Sequence, residues 1–312
     1  MSEITHWIGS VHPAARGGAW EPIERGGSDR KFWRGRGAAE GFVAVAYGLE
    51  KAENARYADC AAFLQSQGVS VPRVLAHDAQ RRFLLLEDAG SEDLWTHRAL
   101  PWEQRSELYR RALREAATMH RADLYAAEKA RVLQVPFDAD LYRWEQEYFF
   151  EHFLGAWRKD LAPFEAQAAF LAAKPRVLLH RDFQSQNIMV RDGRVALIDF
   201  QGMRGGLAGY DVASLLYDPY VEMSAAQRAE LADFYFESAG LSDRADWADE
   251  LRACARQRLM QALGAYGFLG RVKGKSSFLQ HIPVAAERFA ALCLDDPAWQ
   301  PLAEAVRAAA AK

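Results

Sequence analysis

The sequence is poor in cysteine. Cys60, Cys254 and Cys293 are odd in number, far apart and set in helical patterns, which excludes a disulfide framework and a Cys-x-x-Cys zinc site. Buried thiols in a reducing compartment are the expectation. An excess of one charge is also missing: 39 Lys and Arg against 42 Asp and Glu leave a net −3, without the basic stripe that nucleic acid requires. No apolar run approaches a membrane span, and residues 1–18 carry no apolar core behind a basic region. Nor is any segment polar enough to be disordered, since half of the 312 residues are hydrophobic and nine tryptophans are spread along the chain. From these absences a cytoplasmic, soluble globular protein is expected, with no nucleic acid, no membrane and no required protein partner.

Hydropathy periodicity divides the chain. Short apolar runs bounded by turn residues predict strands at 22–25, 30–34, 42–47, 74–78 and 82–87, with one helix over 53–67. From Leu94 onward the period is helical, as in 102–121, 140–155, 225–240 and 246–271. The exception is 177–200, where VLL, NIMV and VALIDF are strand-like and Asp192-Gly193 between the last two signals a hairpin. The expected fold class is α+β and bilobal. Residues 1–88 form a small, mainly antiparallel β lobe with one helix, and 89–312 a large helical lobe that carries the hairpin.

The most specific chemistry lies at that hairpin. His180-Arg181-Asp182 is followed by Asn187, and the partner strand ends in Asp199-Phe200. By chance H-x-D-x-x-x-x-N arises in on the order of one chain in a hundred of this length, and the added I-D-F makes coincidence rarer. Phosphoryl transfer accounts for each residue, because one carboxylate orients the attacking hydroxyl while an amide oxygen and a second carboxylate hold magnesium against the phosphates. Asp182 suits the first role, and Asn187 and Asp199 the second, because a hard cation takes oxygen ligands. His180 is then architectural. One histidine and no cysteine serve zinc poorly.

The segments HRDFQSQNIMV and LIDFQGMRGGLAGYDVASLLYD resemble the catalytic and metal-binding segments of the aminoglycoside phosphotransferase-like kinases, relatives of protein kinases by fold. Asp-Phe-Gln in place of Asp-Phe-Gly, GGSDRKFWR near the start and RLMQALGAYGFLGRVKGKSSFLQHIP are similar to bacterial kinases that phosphorylate amino sugars such as N-acetylmuramate and N-acetylglucosamine at the anomeric hydroxyl. The resemblance runs over about residues 21–283 and implies a kinase using ATP and Mg2+ in cell-wall recycling. It implies Asp182 as the base, Asn187 and Asp199 as metal ligands, and Asp211 as support for the catalytic loop. Gly26, Gly27 and Ser28 lie where a turn covers the phosphates. Glu87 and Ala89 resemble the hinge that offers backbone groups to adenine.

One part of the kinase pattern is missing. The third strand, Val43-Ala44-Val45-Ala46, has no lysine to grip the phosphates. Arg30 and Arg34, which share a strand face, Lys31 on the other face, and Lys51 are the alternatives, and Glu53 is the expected partner of whichever serves. The missing lysine also motivates a second reading, a nucleotide-binding pseudokinase. Nine residues separate Phe200 from Tyr210, too few for a protein kinase's activation segment and peptide platform, so the acceptor is small. Gln184, Gln201, Arg204, Tyr217 and Asp218 are the candidate acceptor contacts. A neutral or acidic sugar fits the balanced charge better than a polycationic drug, although aminoglycosides, choline and homoserine-like acceptors suit relatives of the same fold.

Overall fold

Five short strands form one antiparallel sheet in the order β1-β2-β3-β5-β4: β1 (Ala19–Ile23), β2 (Lys31–Arg36), β3 (Phe42–Ala46), β4 (Val74–Asp78) and β5 (Phe83–Glu87). The structure is a computed structural model that describes residues 2–24, 29–155 and 164–311. Alternation along the strands gives the sheet two apolar faces. Val43, Val45, Leu84 and Leu86 pack with Tyr57, Cys60 and Leu64 of helix α2 (Tyr57–Ser66). Ala44 and Leu85 face the other way, against Ile4, Trp7 and Ile8 of helix α1 (Ser2–Val11).

Helix α1 is absent from the sequence-based expectation. It covers what would otherwise be an open apolar face, with Trp7 buried and its ring 5.8 Å from that of Phe83. Deleting a tryptophan side chain from such a site costs about 3–5 kcal/mol.

Beyond β5 the chain is largely helical, as expected: α3 (Trp102–His120), α4 (Leu124–Lys129), α5 (Ala139–Phe149), α6 (Phe164–Ala173), α7 (Ala208–Leu216), α8 (Ala225–Ala239), α9 (Arg244–Gly267), α10 (Ile282–Ala291) and α11 (Gln300–Ala310). Side chains of Asp138, Ser224 and Asp243 cap α5, α8 and α9. The predicted 140–155 helix widens in its last turn to a π-helix, Phe150–Leu154, closed where Gly155 adopts φ 81° and donates to the Phe150 carbonyl at 2.8 Å.

Among the helices sit β6 (Glu92–Asp93), β7 (Val177–Leu179), β8 (Ile188–Arg191), β9 (Arg194–Leu197) and β10 (Arg204–Gly206). Strands β8 and β9 are the predicted hairpin, and Asp192 and Gly193 both take positive φ, 51° and 70°, as a two-residue hairpin turn requires. Strand β6 extends the hairpin, and β10 pairs with β7. The Leu197 N–H donates to the Ser70 carbonyl at 2.8 Å, which ties the hairpin to the loop between α2 and β4. One continuous core joins α2, the sheet face beneath it, α3, α7 and the hairpin.

Candidate active site

The loop after β7 is shaped by a buried carboxylate. Asp211, in the first turn of α7, accepts the backbone N–H of His180 at 2.7 Å on Oδ2 and that of Arg181 at 2.8 Å on Oδ1. His120 donates to the same Oδ2 at 3.1 Å, and its Nδ1 lies 2.6 Å from the Tyr235 hydroxyl. The position at a helix N-terminus favours the negative charge. These bonds hold Arg181 at φ 78°, a left-handed conformation costly for a residue with a side chain. His180 is buried and donates from Nε2 to the Ile198 carbonyl at 2.9 Å, so its ring ties the loop to the hairpin.

Backbone and amide bonds draw the three motif residues together. Asn187 donates from Nδ2 to the Asp182 carbonyl at 2.9 Å, and the Ile198 N–H, one residue before Asp199, donates to the Asn187 carbonyl at 3.0 Å. The amide nitrogen of Asn187 is thus committed to the loop, and its Oδ1 remains as an oxygen donor. Asp199 has φ 64°, and its Oδ1 accepts from Arg30 at 2.5 Å and from the Gln201 amide at 2.9 Å. Burial raises the Asp199 carboxyl, but the charge and bond of Arg30 and the bond from Gln201 outweigh it and hold the group below the usual range. Phe200, fully buried, lies 4.8 Å ring to ring from Tyr57, so α2 packs directly on the residue after Asp199.

On the sheet side, Gly26, Gly27 and Ser28 lie outside the described residues. Arg30 and Arg34 share a strand face but meet different partners. Arg30 reaches Asp199. Arg34 is bonded to both oxygens of Asp88, at 2.8 and 3.2 Å, and to the Gly90 carbonyl, so it closes the segment after β5. Lys31 and Lys51 are exposed. Glu53 accepts a long bond of 3.4 Å from the Gln134 amide, across from the helical lobe. Glu87 uses its N–H on the Arg73 carbonyl and its carboxylate on the Arg73 guanidinium. The Ala89 N–H makes no hydrogen bond among the described residues.

Two expected acceptor contacts have internal hydrogen bonds. Asp218 is buried; its Oδ2 accepts from the Ser185 N–H at 2.9 Å and the Ser185 hydroxyl at 2.5 Å, and its Oδ1 from the Tyr220 N–H at 3.0 Å. It props the loop between Asp182 and Asn187 and has no oxygen turned to a ligand. Gln201, also buried, orients Asp199. Gln184 is half-buried with its side chain unbonded among the described residues, and Arg204 is half-buried on β10.

Sequence reasoning missed Arg258 and Glu145. Arg258 Nη2 lies 3.9 Å from Asp182 Oδ1, and its Nε donates to Ser214 at 3.0 Å. Glu145 is buried and accepts from Tyr210 and Gln257, each at 2.9 Å; burial pushes its carboxyl up. The available signal was the polar Arg-Gln-Arg run at 256–258 in the middle of a 24-residue helix, α9, whose neighbouring residues are apolar and buried.

Comparison with known proteins gives the family. Residues 19–250 match the phosphotransferase enzyme family (APH). The chain is 26% identical over 278 residues to the N-acetylmuramate/N-acetylglucosamine kinase of Pseudomonas aeruginosa, covering 84% of this chain and 80% of that protein. It is 27% identical over 275 residues to the protein of the same name from Caulobacter vibrioides, covering 78% and 71%. A thermostable mutant of an aminoglycoside phosphotransferase, solved in ternary complex with ADP and hygromycin B, is similar in fold with a TM-score of 0.61 at 16% identity, covering 95% of this chain and 99% of that one. The match spans the sheet, the Asp182 loop, the hairpin and α7 together, and on that ground the chain belongs to the phosphotransferase enzyme family and is a phosphotransferase acting on a hydroxyl acceptor.

Proposed function

We propose that the protein moves the γ-phosphoryl group of ATP to the anomeric hydroxyl of an N-acetylated amino sugar, in the recycling of cell-wall material. The observation that supports the reading is the bond of the Asn187 amide to the Asp182 carbonyl, together with the bond of the Ile198 N–H, next to Asp199, to the Asn187 carbonyl, on one loop and one hairpin. The names of the relatives support the sugar. The ATP would lie between the sheet lobe, 1–88, and the helical lobe, 89–312, with its adenine at the Glu87 carbonyl and the Ala89 N–H.

Asp182 orients the acceptor hydroxyl and takes its proton as the oxygen attacks phosphorus; the bond from the γ-phosphorus to the ADP oxygen breaks, and no phosphoenzyme forms. Asn187 Oδ1 and the Asp199 carboxylate suit magnesium, a hard cation usually held by one or two protein oxygens together with phosphate oxygens and water. Among the described residues no group of three or more His, Cys, Asp or Glu could hold a metal alone. Magnesium, when bound, neutralises charge on the phosphate oxygens. Arg30 takes the part of the missing third-strand lysine: it has to exchange Asp199 for the triphosphate as the nucleotide enters.

The test is acceptor-dependent ADP release over N-acetylmuramate, N-acetylglucosamine, choline, homoserine and kanamycin, followed by phosphorus NMR of the product. Release with the amino sugars, and a phosphorus signal coupled to the anomeric proton, is the expected result. Stimulation by choline or kanamycin alone, or a phosphate on a ring hydroxyl, sinks the reading.

A further inference from the structure

Two arginines approach the carboxylate of Asp182, and a third lies near enough to feel its charge. Arg181 Nη1 is 3.9 Å from Asp182 Oδ2, and Arg258 Nη2 is 3.9 Å from Oδ1. The third, Arg204, is placed by the pairing of β10 with β7, which sets it opposite Leu179, the residue just before the catalytic loop. Its guanidinium lies 5.2 Å from the centre of the Phe137 ring, and its Nε is fully buried with no hydrogen-bond partner. Among the described residues Arg204 makes no ion pair and no side-chain hydrogen bond. Burial first, and then the charge of Arg181, push its guanidinium below its ordinary range.

The surrounding anions do not balance this charge. Asp182 is the group that meets the acceptor hydroxyl. Glu145 has both oxygens engaged by Tyr210 and Gln257, and its burial favours the protonated form. A half-buried guanidinium without a counter-ion costs several kcal/mol unless something supplies negative charge. The nucleotide side has its own cation in Arg30. A guanidinium offers parallel N–H groups that match a carboxylate.

We propose that Arg204, flanked by Arg181 and Arg258, is a specificity-determining site for a carboxylate on the acceptor, so that the preferred substrate is an acidic amino sugar over its neutral counterpart. The inference rests on the amino-sugar reading above. It deepens that reading by naming the feature of the acceptor that is recognised.

The experiment compares kcat and KM for N-acetylmuramate, which carries a lactyl carboxylate, with those for N-acetylglucosamine, which does not. Wild type, Arg204→Gln and Arg204→Lys are each assayed by ADP release. In wild type the KM for N-acetylmuramate is expected to be lower by about 10- to 100-fold, the worth of a hydrogen bond to a charged group. In Arg204→Gln that ratio falls to near one, and Arg204→Lys restores part of it. Equal KM values in wild type overturn the proposal. So does a loss in Arg204→Gln that is the same for both sugars, which marks a structural role, or a fall in kcat with both, which assigns the guanidinium to the transferring phosphoryl group. Silence with both sugars is a different result: it removes the amino-sugar reading itself, and this proposal with it.

Discussion

The two sides of the Asp182 loop treat charge differently. On the nucleotide side Arg30, just before β2, and Arg34 within it each have an internal partner: Arg30 lies on Asp199, and Arg34 on Asp88. On the acceptor side Arg204 has none among the described residues, and Arg181 and Arg258 only approach Asp182 at 3.9 Å. The triphosphate and its metal bring opposite charges together, so a protein that must release them gains from an internal pair that re-forms afterwards. An acceptor brings charge of one sign, and a cation held in reserve selects for it.

Four measurements probe this asymmetry. The largest expected effect is that of Asp182→Asn, which removes the base common to both sides: kcat should fall by about 10²–10⁴-fold, while calorimetry finds ATP affinity unchanged. Unaltered turnover would remove the catalytic assignment. Next is Asp199→Ala, confined to the nucleotide side. ATP affinity measured with and without magnesium should become the same, a loss of about 2–5 kcal/mol of the metal-dependent part, with the acceptor KM unmoved. Arg30→Ala should weaken ATP by about 1.5–3 kcal/mol and leave the preference between the two sugars intact. A change of that preference would show that the two sides are not separate.

The smallest effect concerns pH. Because Arg30 holds the Asp199 carboxyl below its ordinary value, the pair contributes stability at pH values above the unfolded pKa of about 3.9. That contribution is lost as pH falls through the lower folded value. Denaturant titrations should find this contribution constant from neutrality to about pH 5 and fading only in stronger acid, and absent in Arg30→Ala.

What was legible in the sequence was local. Asp182 and Asn187 share one short loop, the Asp192-Gly193 turn fixes the hairpin, and Asp199 ends its second strand, so spacing alone brings them near one another. Helix α1 was also readable in principle, since Ile4, Trp7 and Ile8 follow the i, i+3, i+4 spacing of a buried stripe. The partners of Arg30 and Arg34 were not. Alternation puts both on one face, but Asp199 is 169 residues from Arg30 and Asp88 is 54 from Arg34, and no local rule chooses between them. Asp218 and Gln201 are the opposite case. They stand beside the motif in sequence and bond within it, whereas Arg258 approaches Asp182 from a helix that the periodicity reads only as core.

The glutamine after Asp-Phe has a consequence for control. A glycine at that place would have no side chain to restrain the aspartate. Here the Gln201 amide fastens Asp199 from two residues away, and Phe200 is wedged against Tyr57. Swinging the aspartate outward would break that fastening and open the packing under α2, so the turned-out position costs more here than it would with glycine in place of Gln201.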